Sequence, residues 1–296
     1  MKKKTKVFGT KAGKAFVHLI SGSTEFLKSI SVKPTGTTEG NVRLMDMQRH
    51  GLKIMSRYNQ VSFGYDQGFN IPYSCKEIVY PTILSDSDLE DMGIDPDNME
   101  NMDGEGGIAI AVMLAKIYGL DFQDLALNGD IDLDEVADPS TPAEHRQNML
   151  RQMDGYLNKL DDAGRIIKDA SHDTIKKEIA VLYETYSGDD LITTSTRIWM
   201  SHSDYVQAWQ AVNDTSKDLM IRDNMLYYIS TPIISVSNMS HLLIGDPEAM
   251  QIRIQTNPTL ENARSIDHRG FKCLLGMKAD SIFVIEIFRG LEHTAE

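Results

Sequence analysis

The sequence predicts an α+β chain. Three observations carry that reading. Residues 104–127 form one long apolar helical pattern. The β-like segments crowd into the C-terminal third. The helical and β patterns do not alternate as regular βαβ units, which disfavours a Rossmann or barrel enzyme. In order, the chain reads as an arm, a β loop, a long helix, an α/β middle and then strands.

Residues 1–40 read as an extended arm. Gly9, Gly13, Ser21-Gly22-Ser23 and Pro34-Thr35-Gly36 interrupt it, so it is expected to build little core of its own. Residues 42–58 and 61–80 mix Val, Ile, Phe and Tyr with polar residues and read as two β segments. Gly51, Gly64, Gly68 and Pro72 argue for a long exposed two-stranded loop and against a compact sheet. In residues 104–127, Ile108, Val112, Ala115, Gly119, Phe122 and Ala126 make one stripe, while Ile110, Leu114, Ile117 and Leu125 cover another side. A helix apolar on several sides is buried against several neighbours. Asn128-Gly129-Asp130 should stop it, with Gly129 as a left-handed cap.

Thr141-Pro142-Ala143-Glu144 is a capping box with proline at the first helical position. The helix it starts is expected to bury Met149, Met153, Tyr156 and Leu160. A second helix buries Ile175, Ile179, Leu182 and Tyr186 and stops at Gly188. A strand at 197–200 follows, and Ser201-His202-Ser203-Asp204 caps a short helix reaching Val212. Strands are expected at 225–230, 232–237, 250–256, 271–275 and 281–288.

The length of 296 residues allows one large domain or two smaller ones. With 41% hydrophobic and 25% charged residues, the chain is no disordered tail, collagen-like fibre or disulfide scaffold. A net charge of −13 repels phosphate, so a general DNA-coating role is disfavoured. The charge is uneven. Residues 1–40 carry eight lysines against Glu25 and Glu39, a net +6. Residues 86–105 carry nine acids and no base. Such a pair of regions is either two solvated surfaces or an attraction between copies. Cys75 and Cys273 make no metal or redox spacing, which suits a thiol-reducing compartment. No run reaches the roughly 18 apolar residues needed to span a bilayer. The short stretch 15–20, broken by His18, is no signal peptide.

Chemistry-bearing motifs fail on inspection. Gly104-Glu105-Gly106-Gly107-Ile108-Ala109 opens a helix, but acidic residues precede it where a dinucleotide site needs a strand. Asp130, Asp132 and Asp134 begin like a calcium loop, yet Glu135 and Thr141 stand where Gly and a bidentate Glu are required. Ser201, His202, Ser203 and Asp204 are adjacent on one helix start and cannot converge as a triad. Asp161-Asp162 and Asp189-Asp190 read as loop residues at helix ends. Sixteen methionines include Met45, Met47, Met55, Met92, Met99 and Met102, which fill core or make adaptable contacts with another chain.

The stretch from Lys76 through Ile78-Val79-Tyr80 and Ser85-Asp86-Ser87-Asp88-Leu89-Glu90-Asp91, the long helix, and Ala126-Leu127-Asn128-Gly129-Asp130 together resemble the major capsid proteins of tailed bacteriophages, the Hong Kong 97 type. So do Gly40-Asn41-Val42-Arg43-Leu44-Met45 upstream and Asp154-Gly155-Tyr156-Leu157 and Arg197-Ile198-Trp199-Met200-Ser201 downstream. Thr231-Pro232-Ile233 and Leu242-Leu243-Ile244-Gly245-Asp246-Pro247 continue the series. No piece is specific alone; their order is the signal.

The resemblance implies a fold with an N-terminal arm (1–38), an E-loop (39–80), a P-domain with a spine helix (81–138), an A-domain (139–248) and closing P-domain strands (249–296). It implies a major head protein that self-assembles into hexamers and pentamers of an icosahedral shell around double-stranded DNA. An encapsulin-like compartment shell is the alternative. Implied partners are further copies of the chain and a portal protein, with separate scaffolding and decoration proteins possible. DNA is enclosed without sequence-specific binding, and no membrane is involved. The expected place is the virion, after assembly in the host cytoplasm. No enzymatic activity, cofactor, or catalytic, cofactor-binding or metal-ligating residue is expected. Lys53 matches no cross-linking motif. The reading rests on one proposition: the chain completes its burial only against identical copies, which grip the helix after Asp103.

Overall fold

The computed structural model describes residues 4–7, 10–44, 69–91, 93, 95, 105–168, 174–189, 191–212, 218–255, 259–265 and 269–292. The outer part of the β loop (45–68, with Lys53, Met45, Met47 and Met55), Met92, Met99 and Met102, and residues 213–217 lie outside the described residues.

The first strand, β1 (Lys4–Val7), leads to helices α1 (Thr10–Ser21) and α2 (Glu25–Ser29) and to strand β2 (Ser31–Thr35). Strands β3 (Glu39–Leu44) and β4 (Phe69–Ser74) pair with each other. β5 (Lys76–Ser85) runs into a short helix, α3 (Asp86–Asp91). The long helix is α4 (Glu105–Asn128), 24 residues and about 36 Å. After it come α5 (Pro142–Leu150), α6 (Tyr156–Asp162), β6 (Ile166–Ile167) and α7 (Ile175–Gly188). β7 (Arg197–Ser201), α8 (His202–Gln210), β8 (Leu219–Arg222), β9 (Met225–Tyr228), β10 (Thr231–Val236) and β11 (His241–Gly245) follow. β12 (Met250–Gln255), β13 (Thr259–Ser265), β14 (Gly270–Phe283) and β15 (Arg289–Glu292) close the chain.

Two sheets organise the body. One runs β1-β13-β14-β12-β2, with β5 also on β14. The other runs β6-β15-β11-β7-β10-β9-β8. The centre of the second sheet is buried on both faces. Ile198, Met200, Leu242, Ile244 and Ile233 join the core under α7 and α8. Their neighbours Trp199, Leu243 and Val236 point the other way, into the core that holds α4. That is the period of two expected of a central strand.

The arm is a correction. Residues 10–35 fold back over the body. Phe16, Ile20, Phe26 and Leu27 are completely buried and belong to the same core as Tyr118, Phe122 and Leu125 of α4. Phe26 makes edge contacts with Tyr156 and Trp199 at centroid distances of 6.2 and 6.3 Å. The Trp199 indole N–H donates to Ser29 Oγ at 3.2 Å. β2 lies parallel to β12, and β1 antiparallel to β13. The C-terminal half of the long helix is thus gripped by its own chain. The proposition that burial is completed only by neighbours does not hold for the described body.

Four smaller differences follow from packing. Residues 76–80, expected in the loop, begin β5 and pair with β14. The single helix expected after Thr141 is two helices, although the capping box and Pro142 stand as read. The strands expected at 271–275 and within 281–288 are one 14-residue strand, β14, followed by a 3₁₀ turn at Ile285–Ile287. Gly129 does not take a left-handed conformation. It is needed for a close approach described below.

Candidate functional site

The β3–β4 hairpin forms a two-stranded sheet of its own, apart from the two larger sheets. Its strands are in register from Glu39 opposite Ser74 to Leu44 opposite Phe69. Among the described residues they pair only with each other. Its base is held by a small cluster of Val42, Tyr73 and Cys75 on Ile282 and Val284. Main-chain ties reinforce this. Cys75 N–H donates to the Thr38 carbonyl at 2.7 Å, and Ser74 N–H to Asp280 Oδ2 at 2.9 Å. Burial pushes the Cys75 thiol up to about 11, so it stays protonated and unreactive at neutral pH.

β5 presents an outer edge beside the hairpin, and that edge is partly capped. The N–H groups of its odd-numbered residues face away from β14. Val79 N–H donates to Gln152 Oε1 at 2.8 Å, and Ser85 N–H to Asp88 Oδ2 at 3.0 Å. Pro81 has no N–H to offer. Such capping hinders the addition of a further strand along this edge. Next to this edge lies an apolar groove lined by Ile78, Val79, Tyr118, Phe122, Leu125 and Met277, about 300 Å³ including open solvent.

Two of the stretches that carried the resemblance meet at the end of α4. Gly155 N–H donates to the Gly129 carbonyl at 2.8 Å, and Asp130 N–H to that of Leu150 at 2.9 Å. A Cβ on Gly155 would sit 2.5 Å from the Leu127 carbonyl oxygen, and one on Gly129 would strike that of Met153. The glycines are there because two backbones touch, which also breaks α5 from α6. Asp124, buried beside them, is held by Arg146 through bonds of 2.6 and 2.8 Å in a bidentate pair. Asn128 Nδ2 donates to Asp124 Oδ1 at 2.6 Å and to the Asn238 carbonyl at 2.7 Å. This is a structural joint between the long helix, the α5–α6 connection and the loop between β10 and β11.

The other sequence candidates separate. Ser201 Oγ accepts from Asp204 N–H at 3.0 Å as a helix cap, while His202 Nδ1 faces Ser235 Oγ at 3.1 Å. Asp130 Oδ1 accepts from Asp132 N–H at 2.9 Å, as a turn does. Asp161 pairs with Lys168, and Asp189 with Arg289. Among the described residues no group of three or more His, Cys, Asp or Glu could hold a metal ion. No described helix is long and apolar enough to cross a membrane. Sequence reasoning missed Tyr73, Thr35, Thr37 and Arg253 at the hairpin base. Their meeting depends on residues far apart in the chain, and no local pattern announces it.

No protein-family model matches the chain, and no curated protein sequence matches it. Solved structures do. A chain of the satellite phage P4 procapsid that includes the size determination protein aligns with a TM-score of 0.63 at 13% identity. It covers 94% of this chain and 98% of that one. The virus-like particle from Pyrococcus furiosus aligns at 0.53 and 10% identity, over 95% and 98%. A chain of Microbacterium phage Oxtober96 aligns at 0.50 and 10%, over 91% of each. With its long helix, two sheets and separate two-stranded hairpin, the chain has the fold of tailed-phage major capsid proteins, the Hong Kong 97 type.

Proposed function

We propose that the chain is a major capsid protein whose copies assemble as hexamers and pentamers into the icosahedral head of a phage, enclosing double-stranded DNA. The observation that carries the reading is the end-to-end match to a chain of the satellite phage P4 procapsid, 94% of one chain on 98% of the other. The hairpin supports it. A two-stranded element that pairs with nothing else in its own described chain is costly alone and gains burial from a neighbour. Repeated head-to-tail contacts of that kind close into rings, and rings tile a shell. Each subunit brings a body folded in advance, and assembly adds the hairpin contacts. The acidic chain lets enclosed DNA move without sticking. A portal protein and separate scaffolding or decoration proteins complete such a head. The virion is its place, after assembly in the host cytoplasm. The work is structural and not enzymatic.

A compartment shell that holds a cargo protein is the second reading, favoured by the likeness to the virus-like particle. Expression of the chain alone and negative-stain microscopy test the shell. Closed particles are expected. Particles that take up DNA with a portal mark a phage head, and particles that retain a cargo enzyme mark a compartment. A monodisperse 33.2 kDa monomer at every concentration, with or without co-expressed phage proteins, contradicts both.

A further inference from the structure

Tyr73 stands where the hairpin meets the body. Its cross-strand partner is Gly40, and a Cβ there would come within 2.9 Å of the tyrosine ring. The ring therefore lies flat across the β3 backbone, a position only glycine leaves open. This carries the tyrosine oxygen beyond the hairpin. It reaches Thr35 Oγ1, on the last residue of β2, at 3.1 Å, and Thr37 Oγ1, in the connector, at 2.7 Å. The two threonines are themselves tied, since Thr37 N–H donates to Thr35 Oγ1 at 3.3 Å. From β12 the Arg253 guanidinium sits 5.9 Å from the ring centre. The Thr35 and Thr37 hydroxyls hold the phenol below its ordinary pKa.

One hairpin side chain thus touches the end of β2, the connector and β12. The connector would otherwise swivel. A Cβ on Gly36 would meet nothing within 4 Å, and the main-chain tie from Cys75 to Thr38 lies close to the pivot. At about 3.3 Å per residue the described strands reach about 20 Å, so a tilt of about 10° at the base displaces their far end by about 3.5 Å. That is enough to misplace side chains in a packed interface.

We propose that Tyr73 is a positioning residue that fixes the direction in which the hairpin leaves the body, with Thr35 and Thr37 as its catch. This rests on the shell reading for its purpose, though not for its mechanics. A neighbour can receive the hairpin only if it leaves the body within a narrow range of directions.

Hydrogen exchange on the full-length chain, with electron microscopy of its particles, tests this. In Y73F the amides of 39–44 and 69–74 should exchange about three- to tenfold faster, the weight of one or two hydrogen bonds, while those of β12 and β14 do not change. The particles should turn irregular or open. T35S keeps the hydroxyl and should behave as wild type. T37V loses the shorter contact and should reproduce Y73F, and it decides the matter if Y73F does not fold. Unchanged hairpin exchange, equal acceleration throughout the sheet, or regular closed shells from Y73F overturn the proposal. If the wild-type chain makes no shells at all, the capsid reading falls while the exchange pattern still judges the catch.

Discussion

Residues 10–35 and the hairpin legs at 39–44 and 69–74 are adjacent in the chain and similar in polarity, yet their physical situations are opposite. The first segment places Phe16, Val17, Ile20, Phe26, Leu27 and Ile30 in the main core. The second contributes Val42 and Tyr73 to a five-residue satellite. At about 1.5–3 kcal/mol per large buried apolar side chain, the first segment belongs to the stability of the body. The hairpin adds little to it. On the proposed reading, folding and assembly are assigned to different stretches.

Deleting residues 2–35 is the largest test of that division. It removes two helices and two sheet strands, and cooperative thermal unfolding should disappear from circular dichroism. Replacing the hairpin beyond Gly40 and Tyr73 with a two-residue Asn-Gly turn should instead leave a cooperative transition within about 5 °C of wild type, and no particles. If the two deletions behave alike, the division is wrong.

Single substitutions sharpen it. Phe26→Ala should cost about 3–5 kcal/mol in urea unfolding, as expected of a fully buried aromatic. Val42→Ala, at the hairpin base, should cost about 1–2 kcal/mol. Gly155→Ala should cost about 1–3 kcal/mol, because the atoms its Cβ meets are backbone and cannot move aside. A cost for Val42→Ala as large as that of Phe26→Ala would mean that the hairpin base matters to the body as much as the arm does.

The smallest effect is acid dependence. The Ser140 and Thr141 backbone N–H groups hold Glu144 down to about 2 in the folded chain. Its unfolded value is higher, so its contribution is present above the ordinary carboxylate range and is lost as the pH falls toward 2. Urea midpoints at pH 6 and pH 3 should show a larger drop for wild type than for E144Q. The hairpin-shortened chain should show the wild-type drop, since α5 belongs to the body.

The long helix was legible because its apolar stripes run for six turns without a proline. The cap at Thr141, the buried face of α7 and the Ser201 cap were legible because each is written in one short stretch. Helix α1 was not. Its Phe16, Val17 and Ile20 have helical spacing, but Gly13 and Ser21-Gly22-Ser23 carry the pattern of breakers along a whole arm. In the structure the second group merely separates α1 from α2. β14 was read as two pieces because Gly276, Lys278 and Asp280 interrupt its apolar residues. Partners on both sides, β5 against β13 and β12, override that local pattern. The hairpin base was illegible for a similar reason: Tyr73 and Thr35 are 38 positions apart, and Arg253 lies on a third strand.

Sedimentation velocity on the full-length and hairpin-shortened chains, side by side at rising concentration, separates folding from assembly. Particles of shell size are expected for the first and a folded monomer for the second. A full-length chain that stays a folded monomer while the shortened one does the same, or shells formed equally well by both, would contradict that division.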